Sequence, residues 1–188
     1  MLDMKLLGDG LAIFSGGDEG EWRVISMRPV KGEGLPRVER VAIRHSLDSP
    51  KRNCGWSLLG VASHVRYVER GEKEELAARQ ETLGRVQSTR AALIPLRKSL
   101  EWWQLAQDQR REIFEAQSHH IEEGVRHLPA VARQLYHSRD LGEPFDFLTW
   151  FEYEPSYSDQ FEALVQYLRT TEEWKYVDRE VDIRLSRE

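Results

Sequence analysis

Cysteine is nearly absent from this chain: Cys54 is the only one in 188 residues. That excludes an internal disulfide and makes a cysteine-built zinc site untenable. Zinc spacings of the HxxxH or HExxH kind, a P-loop, a Rossmann fingerprint and a GxSxG elbow are also missing, so the common hydrolase and nucleotide-binding signals give no lead. No apolar run approaches membrane-spanning length, and the opening MLDMKLLGDG has no long apolar core. A cytoplasmic protein with no membrane partner is therefore expected. Basic charge is not in excess either. Lys and Arg number 27 against 32 Asp and Glu, a net charge of −5, which argues against a nucleic-acid partner. What is present is 40% hydrophobic and 10% aromatic residues, the composition of a globular chain with one substantial core or two small related halves.

Hydrophobic patterning predicts an α+β chain. LAIFS and WRVISM, within residues 9–29, read as two short strands joined by the turn-rich GGDEGE. Residues 30–53 read as a loop with one short strand in VERVAIR, and 55–68 as a bent strand with glycines at 55 and 60. Residues 72–84 read as a helix with a glycine stop. ALIPLRKS, 92–99, reads as a strand that Pro95 would bend or confine to an edge. Then come a helix over 107–125, strands over 130–138 and 145–153 separated by the turn RDLGEP, and an amphipathic helix over 158–171. That helix has Phe161, Leu164, Val165 and Leu168 on one face, and YVDREVDIRL is the last strand. From ALIPLRKS onward the order is β-α-β-β-α-β, a ferredoxin-like pattern. The expectation is two related halves, a shortened one over 1–90 and a full one over 91–188, with no long linker between them.

Two sets of polar residues fall among apolar neighbours. On α-helical spacing, Ile113, Phe114, Gln117, Ile121 and Gly124 share a face, and His120 joins it seven residues after Ile113. His119 falls with Glu112, Glu115, Glu122 and Glu123 on the wet face. A histidine on a buried stripe is either a structural residue bonded to a carbonyl or an axial ligand to a metal cofactor. On period two, Val131, Arg133, Leu135 and His137 share one strand face, and Phe147, Thr149, Phe151 and Tyr153 share another. Arg133 there is either paired with a carboxylate such as Asp140, Asp146 or Glu152, or kept for an anionic ligand in an apolar pocket. Arg179 poses the same question beside Val177, Val181, Ile183 and Leu185. The pair Glu172-Glu173, at the end of the second helix, is either a solvated helix end or a source of the carboxylate that orients a ligating histidine.

SHHIEEG, LPAVARQLYHSRDLGEPFDFLTWFEY and TEEWKYVDREVDIRL resemble the chlorite dismutase family, and the short N-terminal half resembles its compact, dimeric branch. The resemblance runs from about Gly55 to the C-terminus and is densest from Arg110 on. It implies a dimeric α+β barrel of two ferredoxin-like halves, with heme b held in the C-terminal half, and a homodimer. His120 then corresponds to the iron ligand, and Glu173, or its neighbour Glu172, to the carboxylate bonded to that ligand's other nitrogen. Arg133 corresponds to the catalytic arginine on the opposite side of the porphyrin. Leu135, Thr149 and Phe151 correspond to the lining on that side, and Gln80 to a glutamine that restrains the arginine. Trp102 and Trp103 correspond to tryptophans on the histidine side, Tyr67 to a heme-propionate contact, and Arg179 to an arginine near the heme edge.

The implied activity is conversion of chlorite, a small anion, to chloride and O2 with formation of the O–O bond. Two other readings remain open from the residues. One is a coproheme decarboxylase of heme biosynthesis. In the Gram-positive branch of those relatives glutamine stands where Arg133 stands here, so the arginine favours the chlorite-degrading side. The other is a non-catalytic heme-binding protein on the same scaffold.

Overall fold

The computed structural model describes residues 10–45, 54–62, 82–118, 126 and 130–187. Eight strands build it: β1 Leu11–Gly17, β2 Trp22–Lys31, β3 Arg40–Arg44, β4 Cys54–Ala62, β5 Arg90–Lys98, β6 Val131–His137, β7 Phe147–Tyr153 and β8 Val177–Ser186. They close into an antiparallel barrel in the order β1-β3-β2-β8-β5-β7-β6-β4. The order β4-β1-β3-β2 of the first four strands repeats as β8-β5-β7-β6 in the last four. The two runs are joined through the pairings β2 with β8 and β4 with β6.

Alternation along each strand sorts the side chains into two cores. Inside the barrel, Phe14, Trp22, Leu58, Leu93, Leu148, Trp150 and Ile183 are fully buried. Aromatic rings tie that interior together: Trp22 meets Trp150 edge-on at 5.3 Å, and Phe14 meets Tyr136 at 5.4 Å. Gly16 lets the Trp56 ring lie flat against β1, since a Cβ there would overlap the indole. A second core forms on the outer face of β5, β6 and β7, where Ala92, Ile94, Val131 and Phe151 pack against Phe161, Leu164 and Val165 of helix α3, Ser158–Leu168. The amphipathic face predicted for that helix is the one it buries.

Short helices lie between β5 and β6. Helix α1, Leu100–Gln104, starts at Ser99, whose Oγ accepts the Trp102 N–H at 3.3 Å. Helix α2, Gln107–Arg111, runs directly into a π-helical segment, Glu112–Gln117, that ends at Ser118. After β6, a 3-10 turn, Arg139–Leu141, closes on Gly142, whose φ of 76° is left-handed and suits glycine. No helix among the described residues is long and apolar enough to cross a membrane.

Three expectations need correction. Pro95 is not on an edge: β5 is flanked by β7 and β8, and a closed barrel has no edge. Pro95 pairs with Leu148 on β7, while the ladder to β8 passes from Leu93 to Leu96 without it, which is where a missing N–H is tolerated. Over its described residues the helix from 107 is α-helical through Gln107–Arg111 and then π-helical, so the 3.6-residue spacing that assigned faces to Phe114 and Gln117 does not hold across the wider π turns. The face predicted for Arg179 also splits. Arg179 bonds the Glu33 and Gly34 carbonyls at 2.8 Å each and lies over the Phe145 ring, whereas Val177 lines the outer pocket, near the register shift in the β5 pairing.

Candidate functional site

The outer face of the C-terminal strands carries an open, largely apolar cleft. Its floor is the sheet: Ile94, Leu96, Thr149 and Phe151. Its wall is Val165 and Leu168 of α3. Charge enters through Arg133 from β6, Lys98 from β5, and Glu173 on the 3-10 turn Glu173–Tyr176. The strand register explains the floor. Arg133 sits opposite Phe151, which sits opposite Ala92, and Leu135 opposite Thr149 opposite Ile94, so all share one face across three strands.

Arg133 is half-buried in this apolar setting. Burial pulls its pKa below the ordinary guanidinium value, and the negative charge of Glu173 works against that shift. Guanidinium remains charged at neutral pH all the same. Two of the acids considered as its partners are committed elsewhere. Asp146 accepts the Lys98 backbone N–H at 2.7 Å and the Trp103 indole N–H at 3.1 Å. Glu152 accepts from Trp150 Nε1 at 3.0 Å and from the Gly84 N–H at 2.6 Å.

Glu173 and Glu172 separate cleanly. Glu173 is buried, lines the cleft, and its Oε1 accepts from Lys98 Nζ at 2.6 Å. Glu172 is 39% exposed in its side chain and pairs with Lys175 at 2.5 Å, away from the cleft. Lys98 is a residue the sequence reading missed. Its side chain is 3% exposed, and its ammonium lies 4.6 Å from the centre of the Trp102 ring. Trp102 thus backs the Lys98–Glu173 pair without lining the cleft. Trp103 lies further out, stacked on Phe147 at 6.0 Å with Arg139 over its face at 3.7 Å. Leu135 is on the predicted face but is 36% exposed and not part of the lining. His120, Tyr67 and Gln80 lie outside the described residues, as do His119 and most of the helix expected over 72–84.

Beside the cleft, an ion network spans α3 and β8. Arg169 and Glu180 are lining residues also absent from the sequence reading, and Trp174 lines the cleft beside them. Arg169 donates to Glu180 at 2.5 and 2.7 Å and to Asp182 at 2.7 Å, and Trp174 Nε1 donates to Glu180 at 2.9 Å. Arg184 bonds both oxygens of Asp182 and reaches Glu162 at 2.8 Å. Asp182 is fully buried; burial alone would raise its pKa, but the hydrogen bonds and charge of Arg184 and Arg169 outweigh that and hold it below the ordinary value. A carboxyl with a lower pKa folded than unfolded adds stability that is complete well above the unfolded value of about 3.9 and is lost as pH falls through the folded one. Asp182→Asn is expected to cost about 1–3 kcal/mol at neutral pH. It should also make stability less steep in pH below about 4, as read by urea unfolding at stepped pH. An unchanged acid limb would remove this role.

A closed antiparallel barrel with a largely apolar cleft on its outer face, which among the described residues Arg133, Lys98, Glu173 and the Arg169–Glu180 pair reach with charge, defines an α+β barrel protein. The chain belongs to the chlorite dismutase family, whose model matches residues 39–188. It is 58% identical to the dimeric chlorite dismutase of Nitrobacter winogradskyi, covering 94% of this chain and 99% of that one, with a TM-score of 0.88. It is also 31% identical over 98 residues to chlorite dismutase of Ideonella dechloratans, a match covering 51% of this chain and 33% of that protein, so the chain spans about a third of that relative. A chlorite dismutase from Candidatus Nitrospira defluvii, solved in complex with imidazole, is 22% identical over 97% of this chain and 94% of its own, and shares the fold with a TM-score of 0.68.

Proposed function

We propose that the protein is a heme b-dependent chlorite dismutase, converting chlorite to chloride and O2, and that it works as a homodimer. The observation that carries this is the placement of Arg133: a cation on an apolar sheet face, opening into the cleft that Glu173 and Lys98 enter from other elements. The residues present suit a heme. Ile94, Phe151, Val165 and Leu168 offer apolar surface to a macrocycle, and His120 is the expected iron ligand. The division into halves at 1–90 and 91–188 is supported by the repeated strand order.

When bound, heme iron supplies the redox chemistry that rearranges the bonds of chlorite. The chain's own residues do the rest. Arg133 attracts the chlorite monoanion and keeps an anionic oxychlorine fragment in place until chloride and O2 can both form. Thr149 and Phe151, beside it, offer that fragment few other partners and keep water out, where a fixed charge acts most strongly. The Glu173 carboxylate accepts a hydrogen bond from the N–H of the His120 imidazole, and Lys98 holds the carboxylate for that task.

An oxygen electrode tests the reading. Heme-loaded protein should release O2 promptly on adding chlorite, and the apoprotein and His120→Ala should release none. Conversion of coproheme to heme b with little O2 would favour the decarboxylase instead. Heme binding with neither reaction would leave a non-catalytic protein.

A further inference from the structure

Ser118 sits where three elements around the cleft meet. It closes the π-helical segment, its N–H donating to the Glu115 carbonyl, and it is 1% exposed. Its Oγ accepts the backbone N–H of Glu173 at 3.0 Å, and its carbonyl accepts the Tyr167 hydroxyl of α3 at 3.1 Å. Glu173 is thus gripped by two residues: by Lys98 at the carboxylate and, at 3.4 Å, at the backbone carbonyl, and by Ser118 at the amide. The two grips do different work. Lysine is a point charge on a flexible four-carbon stem and can follow a carboxylate that moves. A buried backbone amide must keep an acceptor, and the Ser118 hydroxyl supplies it for Glu173, the first residue of the 3-10 turn. Serine suits the position because its oxygen stands one carbon from the backbone, with almost no freedom to wander.

We propose that Ser118 is a positioning residue for the Glu173 carboxylate, locking it to the chain segment that carries His120 two residues later. This rests on the reading of Glu173 as the hydrogen-bond partner of a heme-ligating histidine. Under that reading the carboxylate gives the imidazole anionic character, which stabilises ferric iron and keeps the reduction potential low. Ser118→Ala removes the acceptor of the Glu173 amide. The turn relaxes, the carboxylate loses alignment, and the potential rises although no group touching the heme has changed.

The test uses the heme-loaded protein and two readouts: the ferric/ferrous midpoint potential, and the iron–histidine stretching frequency of the ferrous form. Glu173→Gln is expected to raise the potential and lower the frequency. Ser118→Ala should move both in the same direction by a smaller amount, and Ser118→Thr, which keeps the hydroxyl, should return them toward wild type. Ser118→Ala added to Glu173→Gln should produce no further shift, because the residue acts only through that carboxylate. Wild-type values in Ser118→Ala while Glu173→Gln shifts would overturn the proposal, as would an equal Ser118→Ala shift in both backgrounds. A wild-type potential in Glu173→Gln would overturn the carboxylate–histidine reading itself, a result separable from the other two.

Discussion

Arg133→Ala is expected to lower kcat/KM for chlorite by about ten- to a hundredfold, the equivalent of one charge-assisted contact worth about 1.5–3 kcal/mol. It should also reduce the total O2 obtained per heme before the enzyme inactivates. The guanidinium lies among Thr149, Phe151 and Ile94, which carry no charge, so nothing on that part of the sheet can replace it. Without it, an anionic oxychlorine fragment has no partner and escapes as hypochlorite, which attacks the protein. Arg133→Lys should recover part of the rate, since it keeps the charge and loses the planar fork. Initial rates and final O2 yields on the oxygen electrode, with hypochlorite trapped chemically, give the answer. An alanine variant as fast and as durable as wild type would strip Arg133 of its assigned role.

Lys98→Met is expected to destabilise the apoprotein by about 3–5 kcal/mol, the usual cost of removing one partner from a buried ion pair. The side chains of Lys98 and Glu173 are only 3% and 12% exposed, so solvent screens the pair little. Methionine matches the stem in length and removes the ammonium that donates to the Glu173 carboxylate. Adding Glu173→Gln should recover a good part of the loss, because two neutral groups no longer need each other. Urea unfolding with the linear extrapolation checks both variants. A loss under 1 kcal/mol in Lys98→Met would mean that the pair is not the clamp its 2.6 Å contact indicates.

What could be read from residue order alone was whatever depends on local periodicity. Period two put Arg133 on one shared strand face and Thr149 and Phe151 on another, and the cross-strand register brought those faces together. Helical spacing found the buried face of α3, Phe161, Leu164 and Val165, because an amphipathic stripe is complete within the helix itself. The motifs SHHIEEG and TEEWKYVDREVDIRL led to the family that the model match over residues 39–188 then established.

What spacing could not reach were the features made by long-range contact. Barrel closure put Pro95 in a strand paired on both sides, because an edge exists only if the sheet stays open. Glu173 meets a lysine 75 positions away in the chain, and Ser118 an amide 55 positions away. The π turns at Glu112–Gln117 broke a face assignment that assumed 3.6 residues per turn. Sequence by itself determined which faces are apolar and which charged residues stand on them, since alternation and helical pitch are properties of a single segment. Only the tertiary structure decided which of those charges meet, because a buried ion pair or a shared amide is set by the closing of the barrel and by no one segment within it.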